Sequence, residues 1–293
     1  MSLLGFQLAL ADLSASVRLC ARVAADPDAA LAGYDLTPLE RRRLASAAGQ
    51  HGMRVNATLY RYNRFITLST VMPGTLHLLG DGARAVVDEF WAGRPPDRNM
   101  RRETAHFAAL VVRMLDDGRL ASPYLREVVA FETARYEVAV APRADLLARV
   151  ADAAERWPDG PLVPHPLVRV ATFAHDPQPL LTHLAWKRPP PYDDVAEGEF
   201  HLLLDCREGP FTQRPLDARA AKLLCDAGDR DDAPRFEELE ELLSDGLLVR
   251  ADPATAGALH LLDPPAWKQA TEAALERRWI HENATAAHRL PWH

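Results

Sequence analysis

Glu199-Phe-His-Leu-Leu-Leu-Asp-Cys206, Arg207-Glu-Gly-Pro210 and Phe211-Thr-Gln-Arg-Pro-Leu216 are the stretch whose reading decides the fold of this chain. The apolar run Leu202 to Leu204 reads as a buried strand, Gly209-Pro210 as a tight turn, and Phe211 to Leu216 as the returning arm of a hairpin. Two helices follow by periodicity. In Asp217 to Ala227 the residues Ala220, Leu223, Leu224 and Ala227 fall at i, i+3, i+4 and i+7, and Gly228 stands where a left-handed cap belongs. Arg235 to Ser244 sets Phe236, Leu239, Leu242 and Leu243 on one side, and Asp245-Gly246 turns the chain into the strand Leu247-Leu248-Val249. Strand, turn, strand, helix, helix, strand is the order of a winged-helix or peptide-clasp module, which binds nucleic acid in one use and a peptide strand in the other.

Charge separates those uses. The solvent side of the second helix carries Glu237, Glu238, Glu240 and Glu241, with Asp245 beyond, and only Arg235 opposes them. A helix entering a DNA groove draws its affinity largely from Lys and Arg, so this one is repelled. The chain as a whole carries a net charge of -7, which agrees. A winged-helix transcriptional regulator would need a basic stripe, and Arg41-Arg42-Arg43 with Arg101-Arg102, the best available, lie outside the module.

At 293 residues and 48% apolar composition, the chain can bury a sizeable core and divides into two domains. Cys20, Cys206 and Cys225 are too few and too scattered for a disulfide scaffold or a zinc pair, which fits a reduced cytoplasmic setting. Met1 to Ala25 lacks a basic leader and reads as a folded amphipathic helix, and no stretch reaches the length of a membrane span. Before Trp157 the spacing predicts seven helices: Leu3 to Ala24, one opening at Thr37-Pro38-Leu39-Glu40, Val55 to Val71, Gly82 to Trp91, Glu103 to Asp116, Tyr124 to Val140 after Ser122-Pro123, and Ala144 to Arg156. Four prolines between Trp157 and Pro166 mark the boundary, and Leu167 to Phe173 and His183 to Lys187 read as further strands. The expectation is therefore an α+β chain: an all-helical domain over residues 1–157, a winged-helix-like peptide-recognition domain over 165–251 with a small antiparallel sheet and three helices, and a C-terminal helix and tail over 252–293.

Catalytic patterns are sparse. Gly74, Gly80 and Gly82 read as helix punctuation and not as a phosphate cradle. Glu103-Thr-Ala-His106 has the ExxH spacing of di-iron bundles, but such sites need a second ExxH and further glutamates. A helical-bundle metalloenzyme would rest on Glu103 and His106 alone. Glu127, Glu132, Arg135, Tyr136 and Glu137 share one predicted helix, where the pair Glu132 and Arg135 reads as a stabilising i,i+3 contact.

Leu59-Tyr-Arg-Tyr-Asn-Arg-Phe-Ile66, Met72-Pro-Gly-Thr-Leu-His-Leu-Leu-Gly80, Val87-Asp-Glu-Phe-Trp91, Pro123-Tyr-Leu-Arg-Glu-Val128 and Phe131-Glu-Thr-Ala-Arg-Tyr-Glu137 together carry a resemblance. They resemble the helical domain of partner proteins of multinuclear non-heme iron-dependent oxidative enzymes, found in pathways to ribosomally made, post-translationally modified peptides such as methanobactin and 3-thiaglutamate. Leu167 to Arg250 is similar to the same proteins' leader-peptide recognition element. The resemblance implies a non-catalytic subunit with no cofactor of its own, the iron belonging to the partner enzyme in a heterodimer, and with neither nucleic acid nor membrane as a partner. It further implies that a precursor-peptide leader adds as a strand beside Phe211, Gln213 and Arg214, near Phe236, Leu239, Glu240 and Leu243, while Tyr60, Arg61, Asn63 and Arg64 meet the enzyme. A cysteine-bearing core peptide would then be presented for oxidation.

Overall fold

Thr37 accepts a hydrogen bond from the Glu40 backbone at 3.2 Å while the Glu40 carboxylate accepts one from the Thr37 backbone at 2.8 Å. This reciprocal cap opens helix α4 (Pro38–Ala48), where the sequence placed a helix start. In the computed structural model of the chain, residues 3–92, 100–227 and 236–251 are described. The predicted helix from Leu3 breaks at Ser16, whose side chain accepts from the Leu19 backbone, giving α1 (Leu3–Ala15) and α2 (Val17–Ala25). A short α3 (Pro27–Ala30) precedes α4, and the helices that follow are α5 (His51–Val71), α6 (Pro73–Leu79), α7 (Ala83–Ala92), α8 (Met100–Asp116), α9 (Leu125–Ala139) and α10 (Arg143–Arg156). Helices α1 to α4 close around Ala9, Leu13, Leu31 and Leu44. A second core, containing Leu68, Phe90, Phe107 and Tyr136, gathers around α6 to α9, and α5 runs from one to the other.

Helix α5 opens four residues before the predicted Val55 and α8 three before the predicted Glu103, and two other local signals resolve differently. Ser122 does not cap α9, whose first flanking residue is Tyr124 with no side-chain cap bond. The predicted strand His183 to Lys187 falls at the end of a helix, α11 (Pro177–Ala185). Asp176 caps it and Pro177 fills its first position, where a missing N–H loses nothing.

The proline-rich segment carries one short strand, β1 (Leu162–Pro164). After it come β2 (Val168–His175), β3 (Glu197–Asp205), β4 (Thr212–Leu216), α12 (Ala218–Asp226), α13 (Phe236–Ser244) and β5 (Leu248–Arg250). Among the described residues, β2, β3 and β4 form an antiparallel sheet in that order, and β5 pairs with β1 in a separate ribbon. The chain is thus α+β, mostly helical, with a small antiparallel sheet. The cap expected at Gly228 and the helix and tail expected over 252–293 lie outside the described residues.

Strand alternation divides the sheet's side chains between two cores. Ala171, Phe173, Leu202 and Leu204 face Tyr124, Val128 and Phe131 of the α9 region and Leu180 and Leu184 of α11. Val168 and Leu203 face the other way, against Leu223 and Leu224 of α12, Leu242 of α13, and Leu247 and Leu248. One buried cluster therefore crosses from α9 into the sheet.

The turn between β1 and β2 is held by His165, which is 4% exposed. Its Nδ1 accepts from the Leu167 backbone at 3.1 Å, and the His165 backbone N–H donates to the Leu247 carbonyl at 2.8 Å. Burial, with the Arg207 charge beside it, pushes the imidazole from 6.5 down to about 4, against a smaller pull from Asp205. The folded chain then refuses a proton that the unfolded chain takes up below about 6.5, so this stabilisation is lost as pH falls from 6.5 towards 4. Between pH 7 and pH 5 the loss is about 1 to 2 kcal/mol. Urea melts of wild type and His165→Asn at the two pH values will show a smaller drop in the variant, because asparagine keeps an acceptor and does not titrate.

Candidate functional site

Sheet order leaves two outer margins, one on β2 and one on β4. They are treated differently. On β2 the register slips between Phe173 and His175, and the Ala174 N–H in the slip donates to Glu127 Oε2 of α9 at 2.6 Å. The second oxygen of Glu127 meets His175 Nδ1 at 2.8 Å, and α9 packs along the strand. That margin is shut at its far end by a buried carboxylate. Burial pushes the Glu127 carboxyl up, and the Ala174 and His175 contacts oppose the shift.

The β4 margin has no strand beyond it among the described residues, and Thr212, Gln213, Arg214 and Pro215 are exposed. Pro215 stands opposite Leu202, and Gln213 opposite Leu204. Proline has no N–H to give, so it occupies a ladder position whose donor side faces away from the neighbouring strand. Gln213 shares that alternation, and its N–H and C=O point outward with the Pro215 carbonyl. A guest strand here finds two acceptors and one donor.

The hairpin that presents this margin is braced at its turn. Arg207 grips Asp205 through Nε at 3.1 Å and Nη2 at 2.7 Å and donates through Nη1 to the Asp245 carbonyl beyond α13. Arg143 of α10 donates to the Arg207 carbonyl at 2.9 Å. Gly246 takes a φ of 66°, which favours glycine, and a Cβ there would sit 2.9 Å from Arg207 Nη1 and push that side chain aside.

The residues expected to bind a peptide divide into two groups. Phe211, half-buried, packs on the α9 side of the sheet, and Gln213 and Arg214 lie on the exposed strand. Leu239 and Leu243 pack into the opposite core, and α13 rests against β5 and α12. Glu240 is exposed with Glu241, a face that repels phosphate. The side chain of Phe236 lies outside the described residues. No family model, curated protein or solved structure matches this chain. The site therefore stands on its own geometry.

Of the residues expected to meet an enzyme, Arg64 turns inward and Arg61 is half-buried. Their guanidinium carbons each lie 5.2 Å from the centroid of the Trp91 ring, with Arg61 paired to Asp88 and Arg64 to Glu103. Tyr60 is half-buried, 6.0 Å from the Arg64 guanidinium, and Asn63 is exposed. Glu103, the carboxylate of the ExxH, is 2% exposed and occupied by that arginine. Among the described residues no group of three or more His, Cys, Asp or Glu side chains could hold a metal, and no helix is long and apolar enough to cross a membrane.

Glu132 was read as an i,i+3 partner of Arg135, but it has a larger task. It is 3% exposed and accepts from the Gly74 N–H at 2.7 Å, the Thr75 N–H at 2.9 Å and the Thr75 hydroxyl at 2.7 Å. The two N–H groups are orphan backbone donors at the start of α6. Burial drives the Glu132 carboxyl upward, while Arg135 and the three donors hold it down. A Cβ on Gly74 would lie 3.0 Å from Glu132 Oε1 and 3.1 Å from Val128, so the glycine admits the carboxylate. The buried thiol of Cys206 is pushed up to about 11 by burial and the nearby Asp205, which leaves it protonated and unsuited to nucleophilic work.

Proposed function

We propose that this chain is a non-catalytic peptide-binding subunit that takes an extended segment as a fourth strand along β4. The observation that carries the reading is the asymmetry of the sheet: Glu127 and α9 close the β2 margin, while β4 keeps the outward groups of Gln213 and Pro215. Strand addition draws affinity from main-chain hydrogen bonds, and side chains of the guest alternate between the two faces of the sheet. One face leads towards Phe211 and the other towards Leu216. The hairpin, the helix pair and the resemblance to leader-recognition elements of winged-helix type support the leader of a ribosomally made precursor peptide as the guest. On that reading a cysteine-bearing core is handed to a separate iron-dependent oxidative enzyme in a cytoplasmic complex. Tethering the leader raises the concentration of the core at the enzyme. The iron and the oxidation belong to that enzyme.

The test is fluorescence anisotropy with a labelled leader from any short precursor peptide found in the reading frames next to this one. Wild type will bind with a Kd in the micromolar range or below. Gln213→Pro removes the single outward donor at an exposed position and will weaken binding by about tenfold or more. Pro215→Val supplies a second donor and will tighten it. Equal affinity in all three proteins rejects strand addition at β4.

A further inference from the structure

The open margin carries a charge. Arg214 is exposed and stands between Gln213 and Pro215, the two residues whose main-chain groups point outward. It lies opposite Leu203, which packs on α12, so its side chain projects on the α12 face of the sheet. By the same alternation its own main-chain groups turn inward to β3. An antiparallel guest, continuing the pattern of this sheet, would therefore meet Arg214 as a non-hydrogen-bonded pair, the pairing in which opposed side chains come closest.

The Arg214 guanidinium has no carboxylate partner among the described residues. Two acids near it in the fold are committed elsewhere. Asp205 lies two residues beyond Leu203 on the same face, and Arg207 holds both its oxygens, Oδ1 at 3.1 Å and Oδ2 at 2.7 Å. Asp217, just past the end of β4, caps α12 by accepting from the Arg219 and Ala220 backbones at 3.0 and 2.9 Å. The acidic helix α13 rests against β5 and α12. A counter-charge for Arg214 has to come from outside the described chain. An arginine beside a proline on an edge strand also guards that edge against indiscriminate pairing, because a guest with Lys or Arg at this position is repelled. The guard becomes a filter when the right guest supplies the missing acid.

We propose that the β4 margin selects an extended peptide with Asp or Glu at the position opposite Arg214 and apolar residues on either side of it. This deepens the strand-addition reading and rests on it. The flanking residues sit opposite Gln213 and Pro215, so their side chains fall on the other face, the one that leads to Phe211 and the core under Leu202 and Leu204. Affinity comes from the main chain and the apolar pair, and the choice among guests comes from the charge.

The probes are three labelled strand peptides of about nine residues, alike except for one central Glu, Gln or Lys between two valines. Anisotropy on the full chain will rank them Glu, Gln, Lys, with Glu about fivefold or more tighter than Lys and the gap narrowing as salt is added. Arg214→Glu will reverse that order and Arg214→Gln will flatten it, with melting curves by circular dichroism unchanged because the side chain is exposed. Equal affinity for the Glu and Lys peptides, or an order that survives Arg214→Glu, overturns the charge requirement. If binding without that requirement is still weakened by Gln213→Pro, strand addition stands alone. If it is not weakened, or if none of the three peptides binds, both readings fall.

Discussion

Replacing Glu132 by alanine will destabilise the chain by about 3 to 5 kcal/mol. The carboxylate accepts three hydrogen bonds from Gly74 and Thr75, and all three donors are buried. Alanine leaves these buried donors without the acceptor they have in the wild type. Arg135 also loses its neighbouring charge. Glu132→Gln is a sharper probe of the same contact. Donors approach both oxygens, so an amide presents its NH2 to a donor whichever way it is turned, and a loss of about 1 to 3 kcal/mol remains. Chemical denaturation followed by circular dichroism measures both. A glutamine variant as stable as wild type would mean that the donors find other acceptors and that α6 does not depend on this cap.

The second large effect is expected at Arg64. Its guanidinium donates through Nε to Glu103 Oε1 at 2.7 Å, and the side chains are 10% and 3% exposed. Arg64→Met keeps much of the apolar stem but leaves the Glu103 charge buried without the guanidinium. Removing one partner of a buried pair in this way costs about 3 to 5 kcal/mol. The double variant Arg64→Met with Glu103→Gln should recover part of the loss, since the buried carboxylate charge is then removed along with the guanidinium. If the single variant melts at the wild-type denaturant concentration, the pair is not coupled to folding.

Much of the sheet and its helices could be read from local pattern. The apolar run at Leu202 to Leu204, the turn at Gly209-Pro210 and the helix starts at Thr37 and Asp217 all depend on residues within a few positions of one another. What escaped is what depends on distance along the chain. Helix α6 begins at Met72-Pro73 with no side-chain cap of its own, because its acceptor is Glu132, 58 positions away from Gly74. Likewise β4 could be recognised as the hairpin's outer arm. Which margin of the sheet stays open could not, since that turns on Glu127 reaching Ala174 across 47 positions. The α11 helix is a different case: Asp176-Pro177 was a local start signal, and reading a strand from His183 began too far along the chain to use it.

The core shared by α9 and the sheet limits how this architecture can be divided. Residues after the proline-rich segment supply Ala171, Phe173, Leu202 and Leu204, and much of their cover comes from Tyr124, Val128 and Phe131 upstream of it. Excising the strands alone would strip one flank bare and invite aggregation. A transplantable unit, in a laboratory chimera or through gene rearrangement, has to carry the ninth helix along with its strands.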